Sequence, residues 1–207
     1  MPLDMLSPLA NFKTHDPRLG LREYLIIISP PNHIKKDIHA FKKEISRITA
    51  NESPLKSVAH ITLFNIPTVT IPESTLIKEL GLAINTWTPF EVKLNGFDCF
   101  SYSSSQTIYA KPNPESILKL LKPMAMILNK RAKVPNKFLG FSKVPHMTIA
   151  KQIGDNHFDL CWELFRNRIY SKEFLVKHIT VLRKNYSLDE KKFRLIAEVP
   201  FTNTRPN

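Results

Sequence analysis

One order of secondary-structure signals runs through this chain twice. Glu23 to Ser29 is a β-branched, apolar run that reads as a buried strand and stops at Pro30-Pro31. Asn32 is a candidate N-cap for a helix in which Ile34, Ile38, Phe41, Ile45 and Ile48 recur at intervals of 4, 3, 4 and 3, with Lys35, Lys36, Lys42 and Lys43 on the opposite face. Ala59 to Ile66 then reads as a strand, Pro72 to Trp87 as a helix and Phe90 to Phe100 as a strand. After a further strand, Gln106 to Lys111, the pattern restarts. Asn113 caps a helix with Pro114 in its first turn and Pro123 as a kink, followed by a strand from Pro145 to Gln152, a helix from Asp155 to Ile169, and strands over Phe174 to Arg183 and Lys192 to Pro200. Ser29-Pro30-Pro31 is echoed by Lys111-Pro112-Asn113, and Phe90-Glu91-Val92-Lys93 by Phe174-Leu175-Val176-Lys177, at offsets of 82 and 84. The expectation is an α+β domain over residues 22–200: two similar lobes, about 22–104 and 105–200, each a mostly antiparallel sheet with outer helices. An approximate two-fold would relate them across a central groove, with strands free to exchange between lobes. Residues 1–21 read as an N-terminal extension and 201–207 as a polar tail.

Composition narrows the partner. At 207 residues and 43% hydrophobic content the chain can bury one domain-sized core. Five glycines exclude collagen-like repeats, and no apolar run approaches the ~20 residues of a membrane-spanning helix. Cys99 and Cys161 read as buried thiols. With no basic-then-apolar leader in Met1 to Phe12, a reducing, cytoplasmic setting is expected, and a monomer is the default. The net charge of +12 favours a polyanionic partner such as RNA or a nucleotide, through counterion release and electrostatic steering.

Within the repeat, the second strand of each half carries one tetrapeptide form: His60-Ile61-Thr62-Leu63 and His146-Met147-Thr148-Ile149, offset by 86. Side chains two apart share a strand face, so each histidine emerges with its threonine while the apolar residues enter the covered layer. His178-Ile179-Thr180-Val181 has the same form but aligns with Leu94 on the third strand, and so reads as structural. In-line attack on a phosphodiester needs one group to accept a proton from the nucleophile and another to protonate the leaving oxygen, and imidazole suits both tasks. Threonine hydroxyls can donate to the non-bridging phosphate oxygens. The sequence has no HExxH, no paired CxxC and no acidic cluster beside either histidine, so neither metal nor cofactor is expected.

This twin motif in a duplicated fold resembles the two-histidine (2H) phosphoesterase superfamily, in particular its bacterial 2′-5′ RNA ligase or RNA 2′,3′-cyclic phosphodiesterase-like branch, over roughly residues 22–200. The resemblance implies metal-independent opening of cyclic phosphodiesters, or transfer between 2′ and 3′ RNA ends, with His60, His146, Thr62 and Thr148 as the working residues. Members of the branch often carry His-x-Thr-x-Ala-Arg. Here the run is His146-Met147-Thr148-Ile149-Ala150-Lys151, so Lys151 stands in the arginine's place and offers a point charge instead of a planar fork. Further candidates for substrate contact are Phe64, by parity with Thr62 and with core packing an equal reading, and Tyr24 and Tyr109 on the first strand of each half, with Arg22 and Lys143 as basic residues at strand ends. Alternative readings are a non-catalytic module that holds a nucleotide or RNA end in the same groove, and an exonuclease that trims RNA 3′ ends.

Overall fold

A computed structural model describes residues 20–102, 105–140, 144–186, 190 and 192–203. Eight strands form one antiparallel sheet: β1 (Arg22–Ile28), β2 (Ile61–Thr68), β3 (Phe90–Tyr102), β4 (Ser105–Pro112), β5 (Met147–Ile153), β6 (Ser171–Val176), β7 (His178–Asn185) and β8 (Arg194–Pro200). Their order is β6-β3-β4-β5-β2-β1-β7-β8. The α-helices among the described residues are α1 (Asn32–Thr49), α2 (Glu73–Ile84), α3 (Glu115–Lys130) and α4 (Asp155–Glu163).

The joint at the middle of the sheet is narrow. β2 and β5 meet at one residue pair, Ile61 opposite Met147, with β4, β3 and β6 on one side of it and β1, β7 and β8 on the other. Each side therefore draws strands from both halves of the sequence. β6 and β7 follow one another through Lys177 alone, yet β6 is an edge strand paired to β3 while β7 lies beside β1. Only a strongly curled sheet brings those two positions within one residue of each other. The sequence reads this stretch as a single strand because the β-branched run from Phe174 to Arg183 contains no Gly or Pro to mark the change of partner.

Helices cover the outer face. The α1 stripe of Ile34, Ile38, Phe41 and Ile45 is buried, and Phe41 meets the edges of Phe97, Phe165 and Tyr170 at 5.1–5.9 Å between ring centroids. Ile117, Leu121, Met124 and Leu128 do the same for α3, around an internal Pro123. The helix ends differ from expectation. Pro31 and Pro114 occupy the N-cap positions of α1 and α3, and the Asn113 side chain instead accepts a hydrogen bond from the Lys93 backbone N–H. α4 stops at Glu163 because the following residues turn to drop Phe165 and Tyr170 into the Phe41 cluster, leaving Ile169 94% exposed. Lys42 departs from the solvated lysine face: it is 2% exposed, and its ammonium donates to the Ser57 carbonyl at 2.7 Å and the Ser57 hydroxyl at 2.8 Å. No described helix is long and apolar enough to cross a membrane.

Candidate active site

The two His-x-Thr motifs meet at the central joint. Ile61 and Met147 are wholly buried partners there. Extending that antiparallel register one residue each way sets His60 across from Thr148 and Thr62 across from His146. All four point away from the helix-covered layer that receives Ile61 and Met147. The histidines are half-buried, Thr148 is half-buried and Thr62 is exposed.

Both imidazoles are held the same way. His60 Nδ1 lies 2.8 Å from the Val58 carbonyl and His146 Nδ1 lies 3.0 Å from the Val144 carbonyl. A carbonyl oxygen only accepts, so each Nδ1 carries the proton and each Nε2 is left to gain or lose one. The sequence holds this signal in a longer repeat, Val58-Ala59-His60 and Val144-Pro145-His146, because the valines share the 86-residue offset of the histidines.

The surroundings of the two rings differ. Burial pushes His60 below the ordinary imidazole value. The Val58 hydrogen bond opposes that shift, and the positive charges of Lys42, His146 and Lys151 add to it. His146 is also lowered by burial, against the Val144 hydrogen bond, but sits among rings instead of cations. Phe100 meets it edge-on at 5.1 Å, Tyr109 lies 5.5 Å away, and Phe100 and Tyr109 stack at 4.5 Å. Tyr109 pairs with Thr148 across β4 and β5 and so lies beside the motif, but its ring is buried at 2% exposure. Phe100 was not among the sequence candidates, since nothing in its long strand distinguishes it from a core residue.

Other candidates lie elsewhere. In both motif strands the register slips just past the threonine: Ile26 and Ile27 face Phe64 and Thr62, and Ile108 and Tyr109 face Ala150 and Thr148. Leu63 and Ile149 are thus the extra residues of two matching β-bulges. The bulge reverses the parity that put Phe64 beside Thr62, and Phe64 enters the core at 1% exposure. The same correspondence makes Ile27 the counterpart of Tyr109. Tyr24, three residues earlier, is fully buried on the covered face with its hydroxyl 3.4 Å from Glu73 Oε2, so it does not line the groove. Arg22 is at the far end of β1 from the joint, across from Thr68. Lys143 lies outside the described residues. Lys151 is exposed, close enough to His60 for its charge to be felt, and it also walls a small cavity with Ile45 and Thr49. His178 opens β7 and lies 3.4 Å from Glu198, two strands from β2. Among the described residues, no three His, Cys, Asp or Glu side chains cluster as a metal site requires.

TT0787 of Thermus thermophilus superimposes with a TM-score of 0.61 at 15% identity, covering 88% of this chain and 100% of that one. Escherichia coli LigT complexed with 3′-AMP gives 0.55 at 14% identity, covering 88% and 99%, and LigT complexed with phosphate gives 0.54 at 14%, covering 89% and 99%. At these identities the likeness is one of fold. No curated protein matches significantly in sequence. The family model described as the 2′-5′ RNA ligase superfamily matches residues 30–186, more than half of the sequence, and so the chain belongs to the 2H phosphoesterase, or 2′-5′ RNA ligase, superfamily.

Proposed function

We propose that the chain is a metal-independent phosphodiesterase acting on 2′,3′-cyclic phosphates or on 2′-5′ or 3′-5′ linkages of nucleotides or RNA, with 2′-5′ ligation as the reverse reaction. In this reading the sheet forms two lobes related by an approximate two-fold at the Ile61–Met147 pair, and the phosphate sits in the groove above it. The observation that carries the reading is the matched pair of imidazoles, each fixed through Nδ1 to the carbonyl two residues back. Diagonal neighbours on an antiparallel pair stand about 7–8 Å apart, a gap that one phosphate fills with a hydrogen bond on each side.

Water attacks phosphorus as His60 Nε2 takes its proton. The bond to the leaving ribose oxygen breaks as His146 Nε2–H protonates that oxygen, and the product is a phosphomonoester. The assignment of roles follows from the surroundings. Cations near His60 add to burial in favouring its neutral, basic form, while the protonation of His146 is opposed by burial alone, so His146 is the better proton carrier of the two. Thr62 and Thr148 donate to the non-bridging oxygens, Lys151 adds a positive charge, and the half-buried Phe100, backed by the buried Tyr109, offers a ring to a base. The LigT complexes with 3′-AMP and phosphate support a groove of this chemistry.

The test is turnover of 2′,3′-cyclic nucleotides. His60→Ala and His146→Ala should each lower kcat by roughly 10²–10⁴-fold, and a chelator should leave the wild type unchanged. Tight binding of nucleoside monophosphates with no product formed would instead establish a binding module.

A further inference from the structure

The lysines of α1 form one wall of a cleft that the catalytic reading leaves unused. Lys35, Lys36, His39, Lys42 and Lys43 face the loop ending at Val58 across a cavity of about 650 Å³. This is the loop whose Val58 carbonyl holds His60, and Lys42 is fastened to its Ser57, so the cleft and the histidine share a wall. The helix's own acids are spent elsewhere. Asp37 accepts from Tyr170 and faces Lys172, and Glu44 is gripped by Arg168 at 2.6 Å. Among the described residues, no carboxylate pairs with Lys35, Lys36, Lys42 or Lys43. From Lys35 to Lys43 the helix rises about 12 Å, longer than one phosphate group. Lys35, Lys36 and Lys43 leave three ammonium groups along that length without a carboxylate, while Lys42 is held by Ser57, and like charges so placed repel one another until a chain of anions relieves them.

We propose that this cleft binds the sugar-phosphate backbone of single-stranded RNA leading to the histidine pair, so that the substrate is an oligonucleotide end and not a free mononucleotide. The identity of the ligand rests on the phosphodiesterase reading, whereas the cleft itself does not.

The full-length protein is titrated into a labelled six-nucleotide RNA bearing a 3′-phosphate, by fluorescence anisotropy at 50 and 200 mM salt. The variants are Lys35→Ala/Lys36→Ala/Lys43→Ala and, as a charge-matched control on α3, Lys119→Ala/Lys122→Ala/Lys130→Ala. At about 0.7 per phosphate contact, loss of three contacts lowers the slope of log affinity against log salt by about 2, which makes the wild type about 20-fold more salt-sensitive than the cleft variant over this range. The control should follow the wild type. The exposed single change Lys36→Glu should weaken binding in the same direction, with thermal melting to confirm folding. RNA affinity and salt slope unchanged in the cleft variant, or lost equally in the control, overturn the proposal. Wild-type turnover of a 2′,3′-cyclic mononucleotide reports separately on the enzyme reading. Lysine-dependent RNA binding without turnover removes that reading and keeps the cleft, and turnover with lysine-independent binding does the reverse.

Discussion

Lys42→Met replaces a buried ammonium with a side chain of similar length, and the structure fixes both the size and the pH dependence of the result. Burial lowers Lys42 from its ordinary 10.5 to about 8. A displacement of that size corresponds to about 3 kcal/mol of penalty on the charged form. Below about pH 8 the lysine is protonated in both folded and unfolded chains, so the penalty is fully expressed. Between about 8 and 10.5 the folded protein releases the proton while the unfolded chain keeps it, so stability rises with pH. Above 10.5 both forms are neutral and the penalty is gone. Methionine removes the penalty but leaves the Ser57 carbonyl without its donor, a loss of about 1–3 kcal/mol. The variant should therefore be more stable than the wild type near pH 7 by about 1 kcal/mol, or roughly 2–4 °C in Tm for a chain of this size. That advantage should shrink and reverse as pH approaches 10.5. Urea unfolding of both proteins from pH 6 to 10.5 measures it. A stability difference that stays constant across this range would refute the reasoning, because it would mean the ammonium is not titrating from a buried site.

Further outcomes follow from the site. Both histidines are held below 6.5, so the bell-shaped profile of kcat/KM, which reports the free enzyme, should peak on the acid side of that value; bound phosphate favours imidazolium and should move the kcat profile upward. A kcat/KM profile centred well above 6.5 contradicts this. If His146 is the acid, His146→Ala should retain turnover of a nucleoside p-nitrophenyl phosphodiester, whose leaving group needs no proton, while His60→Ala should not; equal loss in both would reject the assignment. Phe64→Ala should cost about 3–5 kcal/mol of stability, as a core truncation, whereas Phe100→Ala should chiefly raise KM for substrates carrying a base. Chemical denaturation and steady-state kinetics on the two variants separate these effects.

The sequence disclosed the strand–helix alternation, the buried stripe of α1 and the paired motifs, because each rests on periodicity or on a repeat offset that needs no tertiary information. What it concealed depends on register. The doublets Leu63-Phe64 and Ile149-Ala150 break strand alternation and mark the bulges, but two adjacent apolar residues read equally well as a buried strand, so unbroken parity puts Phe64 on the wrong face. Tyr24 sits three residues off the 82-residue correspondence that links Ile27 with Tyr109. Lys42 differs from its neighbouring lysines only through Ser57, which lies beyond the end of its own helix. The turn at Lys177 is set by which strand accepts each hydrogen bond, and that choice belongs to the folded sheet.

That turn also limits how far the protein can gape. Val176 and His178 are joined by two peptide links, so their Cα atoms cannot separate beyond about 7 Å, and the edge strand β6 stays tied to β7, next to last at the other side of the order, whatever the side chains do. Together with the solitary rung at Ile61 and Met147, this covalent strap restricts how the two sides of the sheet can move apart.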